Sequence, residues 1–142
     1  MSNNKRDHTN TKASTRVNVM LVSQPGVLQN ILINSLHGLP ISVIGVASGG
    51  LSAAEMLKGR QPELMILDAS LPLEEALTLL AHLQARYPRV QCLALSETSR
   101  ERSRLLAGGA HFAVVNFDLP RELPVVIDQL QAQPGAALGD AE

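Results

Sequence analysis

The sequence predicts an α/β protein, a parallel sheet covered by helices on both faces. Three observations predict it. Short apolar runs alternate five times with longer amphipathic stretches, the runs lack the in/out alternation of a half-exposed strand, and Gly or Pro marks most junctions.

Each element follows from its own residues. Val17-Asn18-Val19-Met20-Leu21-Val22 is short and β-branched, and the breaker pair Pro25-Gly26 follows it, so it reads as a buried strand and a turn. From Val27 to Leu36, the residues Leu28, Ile31, Leu32 and Ser35 fall at helical spacing, and His37-Gly38 with Pro40 close that helix. Ile41 to Val46 is a second strand. Ser52 to Lys58 is a helix ending at Gly59, and Leu64-Met65-Ile66-Leu67 is a third strand that stops at Asp68. Leu73 to Arg86 is the longest helix, stopped by Pro88. Val90 to Leu95 is a fourth strand, Arg100 to Ala107 a short helix ended by Gly108-Gly109, and Phe112 to Val115 a fifth strand. Pro120 sits where a first helical turn tolerates proline, and the last helix runs to about Gln131.

Five βα units with right-handed crossovers and no Gly-rich fingerprint favour the flavodoxin-like strand order 2-1-3-4-5, a three-layer sandwich with two helices on one face and three on the other. In such sheets the site lies at the carboxyl ends of the strands. That edge comprises Ser23-Gln24, Asp68, Ser96-Glu97 and Asn116. The expected organisation is a disordered leader over residues 1–16, one domain over 17–131, and a flexible tail or truncated linker over 132–142.

Composition narrows the function classes. The 142 residues are 45% hydrophobic and carry a formal net charge of −1, enough apolar content for one core. The leader holds Lys5, Arg6, Lys12 and Arg16 against Asp7 alone, so the remainder is acidic, with two Phe, one Tyr and no Trp. That body is a poor match for a nucleic-acid surface, which needs a basic patch and stacking aromatics. No apolar run reaches the roughly 18 residues of a membrane span, and the polar start is no secretory signal. The lone Cys92 permits no internal disulfide, and its strand position makes it a small buried hydrophobe. A soluble cytoplasmic protein is expected, with no membrane partner.

Most catalytic chemistries are excluded on spacing. His8, His37, His82 and His111 form no pair with ligand spacing, and none falls at the strand ends beside Ser23 or Ser96 to build a Ser-His-Asp triad. Gly45, Gly49 and Gly50 do not fit G-x-G-x-x-G and follow the second strand, so they are turn glycines.

One resemblance is specific. Val43-Ile44-Gly45-Val46-Ala47-Ser48-Gly49-Gly50, then Ala53-Ala54-Glu55, then Gln61 to Pro72, with Gly109-Ala110 and Pro120-Arg121-Glu122-Leu123, resemble a response-regulator receiver domain. The similarity covers roughly residues 17–130 and is nearest to the branch that often carries a LuxR-type helix-turn-helix output. It implies that Asp68 corresponds to the phosphoacceptor aspartate and Ser96 to the hydroxyl residue that senses the phosphoryl group.

The departures from that pattern are equally informative. Receivers hold Mg²⁺ with an acidic pair after the first strand, where this chain has Ser23-Gln24, and no Asp or Glu occurs between Asp7 and Glu55. The lysine expected at the end of the fifth strand is Asn116, and Ala113, beside Phe112, replaces the switching aromatic. Phosphoryl transfer to a carboxylate depends on cations to neutralise converging negative charge, and Mg²⁺ demands several hard oxygen ligands. The expectation is therefore an atypical receiver, a pseudo-receiver without metal, cofactor or enzymatic activity, in which Asp68 has a structural hydrogen-bonding role. It would act in signal transduction or transcription regulation through a protein partner or a homodimer, touching DNA only through a separate or missing output domain. The expected contact face pairs Arg100, Arg102 and Arg104 on the fourth helix with Asp118 and Arg121 at the start of the fifth. Two alternatives are a weakly phosphorylatable two-component receiver using Asp68, and a small-molecule module using the vacated pocket.

Overall fold

The structure, a computed structural model, describes residues 16–132. Five strands, β1 (Val17–Val22), β2 (Ile41–Ala47), β3 (Leu64–Leu67), β4 (Gln91–Ser96) and β5 (Phe112–Val115), alternate with five helices, α1 (Val27–Ser35), α2 (Gly50–Gly59), α3 (Leu73–Arg86), α4 (Ser99–Ala107) and α5 (Leu119–Gln131). A single 3-10 turn, Asn116–Asp118, joins β5 to α5. All neighbouring strands are parallel and the order is β2-β1-β3-β4-β5, the expected flavodoxin-like topology. Helices α2, α3 and α4 bury Ala53, Leu57, Ala76, Leu79, Leu80, Leu83 and Leu105 on one face of the sheet. Helices α1 and α5 bury Leu32, Leu119, Leu123, Val126 and Ile127 on the other.

Local chemistry accounts for the elements. β3 is Leu-Met-Ile-Leu, buried throughout because β1 and β4 flank it and helices cover both its sides. On α3, Ala76, Leu79, Leu80 and Leu83 form one apolar stripe, with Glu74 and Glu75 in the first turn and Arg86 in the last, the charge placement a helix dipole favours. Glu75 serves a second helix too: its Oε2 accepts from the backbone N–H of Gly50 at 2.6 Å, capping the start of α2. A side chain on Gly49 would press on that oxygen, so Glu75 would have to shift to admit one.

Four details depart from the sequence reading. β2 is not covered on both sides, for Val43 and Val46 are 45% and 44% exposed. The strand is at the sheet's edge and carries a bulge, the register stepping from Val19↔Val43 to Met20↔Gly45, which turns it outward. α2 starts at Gly50 rather than Ser52, because Ser52 Oγ accepts from Gly49 N at 3.2 Å and so lies within the first turn. α4 likewise begins at Ser99, capped by Thr98 Oγ1 accepting from Glu101 N at 3.1 Å. α5 contains Pro124 in its body as well as Pro120 in its first turn, and the buried stripe of Leu123, Val126 and Ile127 holds the helix despite the one donor that Pro124 removes. The expected leader and tail lie outside the described residues apart from Arg16 and Ala132. Arg16 Nη1 donates to the Ile41 carbonyl at 2.6 Å.

Candidate functional site

Three strand ends converge at the carboxyl edge. Asp68 follows β3, the innermost strand, and is 2% exposed; Ser23 follows β1 and Ser96 ends β4, and both are buried. The register aligns Val22 with Leu67, which brings the next residue of each strand, Ser23 and Asp68, side by side. Ser23 Oγ donates to Asp68 Oδ2 at 2.7 Å, and the Ala69 backbone N–H donates to Oδ1 at 2.8 Å. A short hydroxyl-to-carboxylate bond of this kind is charge-assisted. Each carboxylate oxygen thus has a donor from within the chain.

Of the hydroxyls that the sequence brings to this edge, the structure distributes the roles differently. Ser70 Oγ accepts from the Gln24 backbone N–H at 3.0 Å, tying the β1–α1 loop to the β3–α3 loop. Ser96 Oγ donates to the Thr98 carbonyl at 3.0 Å, so it shapes the entry to α4 rather than reaching Asp68. Gln24 is exposed. Asn116 falls in the 3-10 turn and lines a hollow with Ile31, Phe117 and Pro120.

Beside Asp68 is a hollow of about 250 Å³, walled by Ser70, Leu71, Pro72, Leu105, Glu97 and Glu101 among others. Its charged walls are therefore acidic, Glu97 and Glu101 having joined Asp68 there. Glu97, directly after the fourth strand, is legible at this edge in the sequence, whereas Glu101 reaches it from the first turn of α4. The residues do not fit Mg²⁺: Ser23 and Gln24 are neutral, the Ser23 hydroxyl is already directed at Oδ2, and among the described residues no group of three or more His, Cys, Asp or Glu is placed to hold a metal.

The five expected contact residues divide into two groups. Arg121 holds Asp118 at 3.1 Å and Glu122 at 3.7 Å, all within the start of α5. Arg104 is 3.9 Å from Glu74 of α3 and well exposed, and Arg100 is exposed on the same helix. Arg102 is exposed too, but it reaches across to β5: its Nε donates to the Ala113 carbonyl at 2.8 Å. Ala113 itself is buried at 6% exposure.

At the opposite end of the sheet, His111 Nδ1 accepts from the Cys92 backbone N–H at 3.0 Å while the His111 N–H donates to the Cys92 carbonyl at 3.0 Å. The imidazole completes the ladder where β4 and β5 begin. Desolvation holds its pKa below the ordinary value, and burial pushes the Cys92 thiol far up, so that thiol is inert.

Comparison with known proteins agrees with this geometry. No family model matches the chain. The receiver domain of response regulator NarL from Mycobacterium tuberculosis superposes with a TM-score of 0.68 at 20% identity, over 82% of this chain and 97% of that one. The isolated RcsB receiver domain of Salmonella enterica in the presence of the phosphomimetic BeF3⁻ gives 0.70 at 19%, over 82% of this chain and 89% of that one. The fold is that of a response-regulator receiver domain. A receiver domain of a Pseudomonas aeruginosa sensor histidine kinase, with magnesium in its cleft, gives 0.70 at 18% identity, over 82% of this chain and 98% of that one. Among curated sequences, a protein-glutamate methylesterase/protein-glutamine glutaminase of Dechloromonas aromatica is 28% identical over 99 residues, covering 67% of this chain and 28% of that protein. One from Bradyrhizobium diazoefficiens is 33% identical over 85 residues, covering 58% of this chain and 23% of that protein. The chain therefore spans less than a third of the length of these curated relatives. Among the described residues, no helix is long and apolar enough to cross a membrane.

Proposed function

We propose that this chain is an atypical receiver, a non-enzymatic signalling module that works through protein contacts without Mg²⁺-dependent phosphorylation of Asp68. The observation that carries the reading is the 2.7 Å bond from Ser23 Oγ to Asp68 Oδ2. Where a phospho-receiver needs a carboxylate to share a cation with its phosphoacceptor, this chain directs a hydroxyl donor at the phosphoacceptor-equivalent oxygen. An incoming phosphoryl group would have to displace that donor in a hollow whose charged walls, Glu97 and Glu101, repel it. Asn116, standing where the family pattern calls for lysine, supplies no charge to offset them. The hollow's small size and acidic lining also disfavour the small-molecule reading, since ligand pockets usually span roughly 300–1,000 Å³ and are largely apolar.

In this reading the contact surface is the face made by α4, β5 and α5, with Arg100 and Arg104 on one side and Asp118 and Arg121 on the other, presented to a protein partner or to a second copy. Any effect on DNA would run through a separate output domain. The test is titration of the full chain with Mg²⁺, then with beryllofluoride, following backbone amide shifts at Ala69, Ser96 and Ala113. The expected result is no saturable response at these positions. Saturable millimolar Mg²⁺ binding centred on Asp68 would refute the proposal.

A further inference from the structure

Helix α4 buries little of its own surface although it packs against β4 and β5. Of its nine residues only Leu105 is buried, as only Leu32 is in α1, whereas α3 and α5 each bury four. Its capping bonds are local: Thr98 Oγ1 accepts from Glu101 N, and Glu101 Oε1 accepts from Glu97 N at 3.3 Å, so both shape the helix's first turn without fastening it to the sheet. The Arg104–Glu74 pair, at 3.9 Å between exposed side chains, adds little. Arg102 is different. Its Nε reaches eleven residues along the chain to the Ala113 carbonyl of the outer strand, at 2.8 Å.

Two surroundings keep that bond in place. Asp118 and Glu122, which share a hollow with Arg102, are both engaged by Arg121, so neither competes strongly for the Arg102 guanidinium. Ala113 presents only a methyl group, and Arg102 and Ala113 both line a hollow of about 280 Å³. A bulky side chain at position 113 would contest the same space.

We propose that Arg102 is a positioning residue: its bond to the Ala113 carbonyl clamps α4 onto β5 and so fixes the α4–β5–α5 face in one arrangement. The regulatory meaning of the clamp rests on the phosphorylation-independent reading above, since it sets without a signal what a phosphoryl switch would otherwise set. The physical claim stands apart from it. α4 should open locally at a lower cost than α3 and α5, and one charge-assisted hydrogen bond should contribute part of that cost.

The experiment is native-state amide hydrogen exchange on the full chain, comparing wild type with Arg102→Met, which keeps the stem and removes the donor, and Arg102→Lys, which keeps a donor of different reach. Arg102→Met should speed exchange of the amides of residues 102–107 by about fivefold or more, leave α3 amides within twofold, and barely move the urea midpoint. Arg102→Lys should fall between the two. Unchanged α4 exchange in Arg102→Met would overturn the proposal, and so would a parallel rise in α3 and α5, which would signal global destabilisation. Adding beryllofluoride with Mg²⁺ to the wild type separates the two proposals. Protection of α4 by that mimic would defeat the phosphorylation-independent reading alone, while the Arg102→Met result decides the clamp.

Discussion

The two faces of the sheet are built from different materials. Under α1 and α5 the buried residues are Val, Ile and Leu only, with Val19, Leu21, Ile66, Leu93 and Val114 from the strands meeting Leu123, Val126 and Ile127 from α5. Under α2, α3 and α4 the strands contribute Val22 and Leu67 together with Met20, Met65, Ala47, Ala94, Ala113 and Cys92, and the helices add Ala53 and Ala76 to Leu57, Leu79, Leu80, Leu83 and Leu105. Branched side chains with few rotamers interlock and lose much when cut back; alanine lets helix backbones approach closely, and methionine fills irregular gaps softly. The difference teaches where the molecule is rigid and where it can adjust. Each face has one helix with a single buried residue, α4 on the adjustable face and α1 on the branched one, while Asp68 stands at the junction of both, just after a strand buried from either side.

That comparison can be broken by measurement. The largest loss should come from Leu123→Ala, which truncates a side chain with no exposure on the branched face: about 2–5 kcal/mol by urea unfolding. A loss below about 1 kcal/mol would show that this face relaxes as readily as the other. Next, Ala94→Leu should cost about 1–3 kcal/mol, because a close-packed alanine on β4 leaves no room for added methylenes. Ser23→Ala should cost a comparable 1–3 kcal/mol, roughly, by leaving Asp68 Oδ2 short of its donor. The same substitution in an Asp68→Asn background should cost measurably less, and equal costs in the two backgrounds would mean that the Ser23–Asp68 bond contributes nothing. Met65→Leu, on the soft face, should cost less than about 1.5 kcal/mol; a cost rivalling Leu123→Ala would remove the distinction between the faces.

The smallest effect is one of pH. His111 has its folded-state pKa lowered, chiefly by desolvation, so the folded protein binds that proton less readily than the unfolded chain does. Its contribution is complete above the ordinary imidazole value of about 6.5 and is lost as pH falls through the lowered value, when protonated Nδ1 can no longer accept from Cys92 N. Melting temperature should therefore decline slightly on acidification across that window. His111→Asn, which retains an acceptor that does not titrate, should flatten this component, and an unchanged pH profile would show that the imidazole is not the group responsible.

By itself the sequence determined the five βα units, their order, and which residues reach the carboxyl edge, because buried strands and amphipathic helices announce themselves in local patterns of apolar residues and breakers. It also determined what the site lacks, since the absence of any Asp or Glu between Asp7 and Glu55 is a property of the chain and not of its folding. What only the tertiary structure decided was the assignment of polar partners. Ser23, Ser70 and Ser96 are alike in sequence, yet the alignment of Val22 with Leu67 gives Asp68 to Ser23, while Ser70 accepts from a loop amide and Ser96 donates to the Thr98 carbonyl. Arg102 read as a surface charge and stays exposed, yet its Nε is committed to the Ala113 carbonyl, and β2 read as covered but lies partly exposed at an edge. Hydrogen bonds act over about 3 Å and depend on direction, so their partners are fixed by strand register and helix placement, quantities that no local pattern of residues encodes.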